Sequence, residues 1–206
     1  GNAIPTLDSL RDIQIAEDSA ETIVDLTGIT AGGGESQHLK VTATRSNSDL
    51  LQSPVVEYTS ADSVGKLKLT PKPDQSGTST ITVTVEDAGL DNDLSTTSDN
   101  ASFTRTFDLV VSPINDLPTL NPSSDITVAE DSGEKTVDLS GITAGGGENQ
   151  LLNVTAISSN PDLIANPAIN YTSANSTGSI AFTPSSGSTG TSTITVTVED
   201  GGLDND

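Results

Sequence analysis

Cysteine, methionine and tryptophan are missing from this chain, phenylalanine and tyrosine number three and two, and eight basic residues stand against 29 acidic ones. Each scarcity excludes something. Without cysteine no disulfide can staple the fold, although large secreted bacterial repeats can draw on bound metal instead, so the compartment has to be read from other features. With so few aromatic residues the core must be aliphatic, and a sugar-binding platform, which generally needs exposed rings, has little to be built from. The formal charge of -21 argues against nucleic acid and against anionic membrane surfaces as partners, since both demand clustered Lys and Arg. No apolar run approaches the length of a membrane span and no signal peptide is visible, so no membrane insertion is expected. Nor does any stretch hold a 3.6-residue apolar period for three turns, and almost no helix is expected.

What is present is a repeat. Asn2 to Asp93 falls on Asn115 to Asp206 at a constant offset of 113 without a gap, and about 56 of the 93 pairs counted from Gly1 are identical. Shared blocks include AGGGE at Ala31 and Ala144, YTSA at Tyr58 and Tyr171, and TSTITVTVED at Thr78 and Thr191. Two domains of one kind follow, 1–113 and 114–206, joined through Ser112 to Pro118 (SPINDLP). The sequence opens on Asn2-Ala3-Ile4-Pro5-Thr6, the counterpart of Asn115-Asp116-Leu117-Pro118-Thr119, so a preceding repeat is expected.

Within the first repeat, Asp12–Ala16 and Thr22–Leu26 read as short strands around the acidic turn Glu17-Asp18-Ser19. Leu39–Thr44 alternates Leu39, Val41 and Ala43 with Lys40, Thr42 and Thr44, the period of a strand with one wet face. Val55–Thr59 and Lys66–Thr70 continue the pattern. Thr78–Glu86 sets Ile81, Val83 and Val85 against Thr80, Thr82 and Thr84, all good β-formers. Phe103–Val111 is the last, with Phe103, Phe107, Leu109 and Val111 on one side. About seven short strands in roughly 110 residues predict an all-β fold, two tandem antiparallel β-sandwiches. The segment Leu94–Pro113 has no partner in the second repeat, which therefore lacks its last strand; a longer array, or a strand supplied elsewhere, is expected.

Val85-Glu86-Asp87-Ala88-Gly89, then a strand, then Ile114-Asn115-Asp116-Leu117-Pro118 resembles the cadherin order of a D-x-G loop, a final strand and an N-D-x-P linker. The chain is similar to the cadherin-like and bacterial immunoglobulin-like repeats of large secreted adhesins. That resemblance implies Greek-key sandwiches of immunoglobulin or cadherin type in an extended arrangement, Ca²⁺ between successive domains, a stiffened rod and a role in adhesion. Carried over by position, it implies Glu17, Asp74, the linker pair Asn115 and Asp116, and Asp200 as metal ligands. Two positions depart from the pattern. The linker's usual first aspartate falls near Ser112, and the D-x-D expected after the second strand of repeat two falls near Ser158 to Asn160, without a carboxylate.

The residues point the same way on their own. In an odd-stranded sandwich the chain enters at one pole and leaves at the other. The Glu17-Asp18 turn and the Pro71–Gly77 turn are thus expected at the second pole of repeat one, with Asn115, Asp116 and the Glu199–Asp206 loop at the first pole of repeat two. Ca²⁺ takes six to eight oxygens from such mixed groups. The loop Asp87–Asp93, repeated at Asp200–Asp206 with Asp204 and Asp206, either wraps an ion by itself or is an ordinary turn. His38 is the only histidine and is Leu in the second repeat, which marks a surface or boundary residue. The AGGGE loops lack the Lys and Ser/Thr of a phosphate loop and read as flexible. No catalytic residue emerges. The expectation is a non-enzymatic, Ca²⁺-binding repeat of a secreted or cell-surface bacterial adhesin, partnered by neighbouring repeats and by a cell-surface or polysaccharide ligand. A carbohydrate-binding module using Tyr58 or Tyr171 is the alternative.

Overall fold

The computed structural model describes residues 1–206. It is all β, without a helix, and divides into two compact units, Gly1–Ile114 and Asn115–Asp206. No helix is long and apolar enough to cross a membrane.

The first unit has seven strands: β1 (Ile13–Ala16), β2 (Thr22–Leu26), β3 (Leu39–Arg45), β4 (Val55–Glu57), β5 (Gly65–Leu69), β6 (Gly77–Asp87) and β7 (Ser102–Ser112). They form a four-stranded sheet, β1-β7-β6-β3, and a three-stranded sheet, β2-β5-β4. Every pairing is antiparallel except β1 with β7, which run parallel from Ile13 beside Leu109 to Ala16 beside Ser112. This is the strand order of an immunoglobulin-like Greek key. The predicted alternation holds: Leu67 and Leu69 of β5, Ile81, Val83 and Val85 of β6, and Leu109 of β7 are all 0 % exposed. They pack into one aliphatic core with Leu26, Ile29, Leu50, Leu51 and Phe107. The two strands placed from the sequence at Val55–Thr59 and Lys66–Thr70 are observed as Val55–Glu57 and Gly65–Leu69.

The second unit has five strands: β8 (Lys135–Leu139), β9 (Leu152–Ser158), β10 (Ala168–Asn170), β11 (Gly178–Phe182) and β12 (Ile194–Asp200). The sheet β10-β11-β8 repeats β4-β5-β2, and the opposite sheet is reduced to β12-β9. Two strands are absent for one reason. The sequence between Asn115 and Asp206 holds no counterpart of β7, and Ile126–Ala129, the counterpart of β1, has no parallel neighbour to pair with and forms no strand. The core of this unit gathers Leu139, Ile142, Ala144, Leu152, Val154, Ala156 and Ile180.

Both tyrosines are structural. Tyr58 and Tyr171 pack against their cores while their hydroxyls donate to backbone carbonyls four residues on, Asp62 at 2.7 Å and Asn175 at 2.8 Å. Burial pushes the Tyr58 phenol above its usual range, helped by the nearby Asp62 carboxylate.

Candidate functional site

The acidic residues collect at the poles of the units. At the C-terminal pole of the first, the parallel ladder of β1 and β7 continues past the strand end, where the Glu17 amide donates to the Ser112 carbonyl at 2.8 Å. That contact buries Glu17 to 5 % exposure, and its Oε1 accepts the Ile114 amide. The next residue, Asp18, turns the chain in a left-handed conformation (φ 59°) and reaches the β5–β6 turn, where its Oδ1 accepts the Asp74 amide at 2.9 Å. Asp74 is itself left-handed (φ 58°). Carboxylate oxygens of Asp18 and Asp74 lie within 4.8 Å of one another.

At the N-terminal pole of the second unit, Asn115 Nδ2 donates to both Asp200 oxygens, at 3.1 and 3.3 Å. Gln150 Nε2 bridges Asn115 Oδ1 and Glu148 Oε2, each at 2.8 Å. The Asp116 amide donates to the Glu148 carboxylate at 3.2 Å, and carboxylate oxygens of these two residues also lie within 4.8 Å. Glu148 comes from the AGGGE loop, read from the sequence as flexible. The loop is instead held by hydrogen bonds from Gly145 N to Thr143 Oγ1 and from Glu148 N to the Gly145 carbonyl. Gly145 has φ +84°, and a Cβ there would fall 2.0 Å from the Leu117 carbonyl oxygen, so only glycine lets the linker backbone pass this close. The signal that could have found Glu148 was its recurrence, with Glu35, at a fixed distance from Asn115 and Asn2.

The first unit repeats the hydrogen bonding of this pole but not its charge. Asn2 donates to Asp87, Gln37 bridges Asn2 and Glu35, and the Ala3 amide donates to Glu35. Where the second unit has Asp116, the first has Ala3. Conversely, the C-terminal pole of the second unit keeps Asp131, whose Oδ1 accepts the Gly187 amide at 2.9 Å, but Gly187 stands where the first unit has Asp74. Each carboxylate pair therefore occurs in one unit only, and in sequence the two flank the Ile114-Asn115 boundary.

The remaining sequence-proposed ligands are engaged locally. Asp87 is fully buried, and its Oδ1 accepts Asn2 Nδ2, the Gly89 amide and the Ala101 amide at 2.9 to 3.0 Å. Donors on that oxygen make Asp87 the organiser of its turn. Asp200 does the same for Gly202 at 2.8 Å, and Asp204 accepts the Asp206 amide at 3.3 Å. Asp206 is exposed at the end of the same turn. In the first unit Asp93 accepts both the Ser95 hydroxyl and the Ser95 amide, which hold its carboxyl below the usual range.

The donor set at the two charged poles fits a hard divalent cation. It consists of carboxylate and amide oxygens, the kind Ca²⁺ takes. Lys68 forms ion pairs with Glu57 at 2.6 Å and Glu21 at 4.0 Å. His38 stays apart from these clusters.

Fold and site together describe a tandem pair of immunoglobulin-like β-domains with acidic poles. No protein-family model matches the chain, and neither does any curated protein. Among solved structures it is similar to domains 4 and 5 of the S-layer protein SbsC (13% identity, TM-score 0.33, covering 52% of this chain and 54% of that one). A three-domain Ig structure from titin matches at 11% identity and TM-score 0.35, over 90% and 57% of the two chains. An endo-fucoidan hydrolase of glycoside hydrolase family 107 matches at 19% and 0.38, over 96% of this chain and 27% of that one. The chain thus spans about half the length of the first two. At these values the likeness ties it to the activity of none of them.

Proposed function

We propose that this chain is a non-enzymatic, Ca²⁺-binding tandem repeat of a secreted or cell-surface bacterial adhesin, acting as a spacer or adhesion module that the ion stiffens. The observation that carries the reading is the placement of the two carboxylate pairs. Asp18 with Asp74, and Asp116 with Glu148, bring carboxylate oxygens within 4.8 Å of one another, and each pair is lost at the equivalent pole of the other unit, where Gly187 and Ala3 stand instead. Like charges held this close repel unless a cation joins them. Glu17, Asn115 and Asp200 would add oxygens to the two sets. Glu17 accepts the Ile114 amide and Glu148 the Asp116 amide, so an ion held by either set also restrains the backbone that the set binds. An extracellular setting supplies Ca²⁺ at the concentrations such surface sites need. The half-buried tyrosines, with their hydroxyls bonded to backbone, offer little to the carbohydrate-binding alternative.

Thermal unfolding in millimolar Ca²⁺ and in EDTA tests the reading. A ligand that binds only the folded state adds about 2.7 kcal/mol at a hundredfold excess over Kd, so the midpoint should rise in Ca²⁺ and rise less in Mg²⁺, which demands a tighter octahedral shell. Asp74→Asn and Asp116→Asn should each remove part of the gain, and small-angle scattering should show a narrower range of conformations in Ca²⁺ than in EDTA. Superimposable melting curves in the two buffers would sink the metal reading.

A further inference from the structure

A modification signal separates the two units. Asn-Xaa-Ser/Thr triplets without proline occur at Asn100, Asn153, Asn170 and Asn175, and such a triplet is an acceptor for asparagine-linked sugar when it lies on an exposed segment. The last three belong to the second unit. At the matching positions the first unit has Lys40, Glu57 and Asp62. For the triplet at Asn175 the hydroxyl differs as well, Thr177 standing where the first unit has Val64.

The fold presents the four differently. Asn100 Nδ2 donates to Glu86 Oε1 at 2.9 Å and to the Leu94 carbonyl at 3.2 Å, so its amide is occupied. Asn153 lies inside β9, opposite Glu199 of β12. Its threonine, Thr155, is two residues along an extended strand, about 6.8 Å away, and bending that triplet into a transferase cleft would break the ladder. Asn170 is the last residue of β10. Asn175-Ser176-Thr177 lies in the connection between β10 and β11, and all three residues are exposed. The bonds that hold this connection are made by its backbone. The Asn175 amide N–H donates to the Thr172 carbonyl at 3.0 Å, the Asn175 carbonyl accepts the Tyr171 hydroxyl at 2.8 Å, and the Ser176 carbonyl accepts the Ile142 amide at 3.1 Å.

Beside the connection runs an open groove lined by Asp138, Ser140, Asn170, Asn175, Thr177 and Ser179. Asp138, Ser179 and Asn170 stand side by side across β8, β11 and β10. Apart from Asp138 these side chains are amides and hydroxyls, which both donate to and accept from the hydroxyls of a sugar ring. The first unit has Glu57, Asp62, Val64 and Lys66 where the second has Asn170, Asn175, Thr177 and Ser179. We propose that Asn175 is an acceptor for asparagine-linked glycosylation. The donor is a sugar activated as a diphosphate ester, either nucleotide-linked or lipid-linked. A bond forms between Asn175 Nδ2 and the anomeric carbon of the sugar, and the bond from that carbon to the diphosphate oxygen breaks. The diphosphate leaves with the bonding electrons, and a proton of the amide goes to a base of the transferase. Neither Asn175 nor Thr177 is among the proposed metal ligands.

The test uses the folded 206-residue chain in two arms. One supplies UDP-glucose and a soluble asparagine glucosyltransferase, the other a polyprenyl-diphosphate oligosaccharide and an oligosaccharyltransferase. Each enzyme is first shown to modify the isolated peptide Ser173–Ile180. Peptide mass mapping should find sugar on Asn175 in at least one arm, and the arm that succeeds identifies the kind of donor. Transfer should be about tenfold or more faster at Asn175 than at Asn153 or Asn100, which become available only through local opening. Asn175→Gln should abolish transfer at this position, and so should Thr177→Val, which installs the residue of the first unit and leaves the melting midpoint in place. No sugar on Asn175 in either arm, equal rates at Asn175, Asn153 and Asn100, or undiminished transfer in Thr177→Val would overturn the proposal.

Discussion

Thr78–Asp87 and Thr191–Asp200 are the same ten residues, TSTITVTVED, and the structure gives them different lengths of strand and different surroundings. In β6 all ten belong to an eleven-residue strand; in β12 only the last seven form a seven-residue strand. The first three of the ten explain why. Thr78, Ser79 and Thr80 pair only with β7, through Val110, Leu109 and Asp108, since β3 reaches β6 only from Ile81 onward. Remove β7 and those residues lose their sole ladder, so Thr191–Thr193 stay outside the strand. β-propensity describes how well a side chain fits a half-buried pleated surface. With one neighbour missing, the same side chains meet a different surface.

The difference should be measurable with one substitution made twice. Ile81→Ala removes a fully buried side chain and should cost about 2–5 kcal/mol, whereas Ile194→Ala, in an identical local sequence, should cost about 1–2 kcal/mol because its site is already open on one side. Hydrogen exchange resolved by unit reads both values. Equal losses would mean that the second unit is as closed as the first, and the contrast drawn here would fail.

A smaller effect is expected in the turns after β6 and β12. Gly89 and Gly202 are both left-handed, at φ +68° and +66°, so alanine is strained at either by about 1 kcal/mol. At Gly89 the added Cβ would also fall 2.4 Å from the Asp99 carboxyl carbon, while at Gly202 the nearest atom is 3.5 Å away. Gly89→Ala should therefore cost about 2–3 kcal/mol and Gly202→Ala about 1 kcal/mol, checked by unfolding of each variant. The ordering, more than the values, carries the point: the Asp99 side chain stands over Gly89, and nothing stands as close over Gly202.

The smallest expected difference is electrostatic. Lys68 hydrogen-bonds Glu57 and, with its charge, holds that carboxyl below its usual 4.5, while Lys68 is itself pushed up. A depressed carboxylate contributes stability above its unfolded pKa and loses it as the pH falls through the folded one. Acidification below about pH 4.5 should thus remove a small increment from the first unit, and Glu57→Gln should remove the same increment at neutral pH. The second unit has Asn170 and Ala181 at these positions and should show no such step. Glu57 is exposed and Lys68 partly so, so the step should shrink in high salt.

Much of the first unit was legible because its strands alternate cleanly. Leu67 and Leu69, then Ile81, Val83 and Val85, fall inward by parity alone. The acidic turns at Glu17-Asp18 and Asp74, and the linker pair Asn115-Asp116, were likewise visible as polar interruptions between apolar runs. Glu148 was not, since three glycines hid an ordered loop behind the composition of a flexible one, and the close approach to the Leu117 carbonyl that requires glycine is a contact far away in sequence. Nor was the part Asp87 plays in its own turn, where its buried carboxylate accepts two backbone amides and Asn2.

By itself, then, the sequence determined that there are two repeats, which residues alternate inward, that helix is absent, and where negative charge accumulates, because these depend on local pattern and on self-comparison. Only the tertiary structure decided what identical segments do. Whether TSTITVTVED becomes eleven strand residues or seven, whether Glu17 is buried while Glu130 is exposed, and whether an isoleucine is sealed or half open depend on a neighbouring strand that hydrogen-bonds across the sheet. A residue's burial belongs to the pair of surfaces that meet, and local sequence describes one of them.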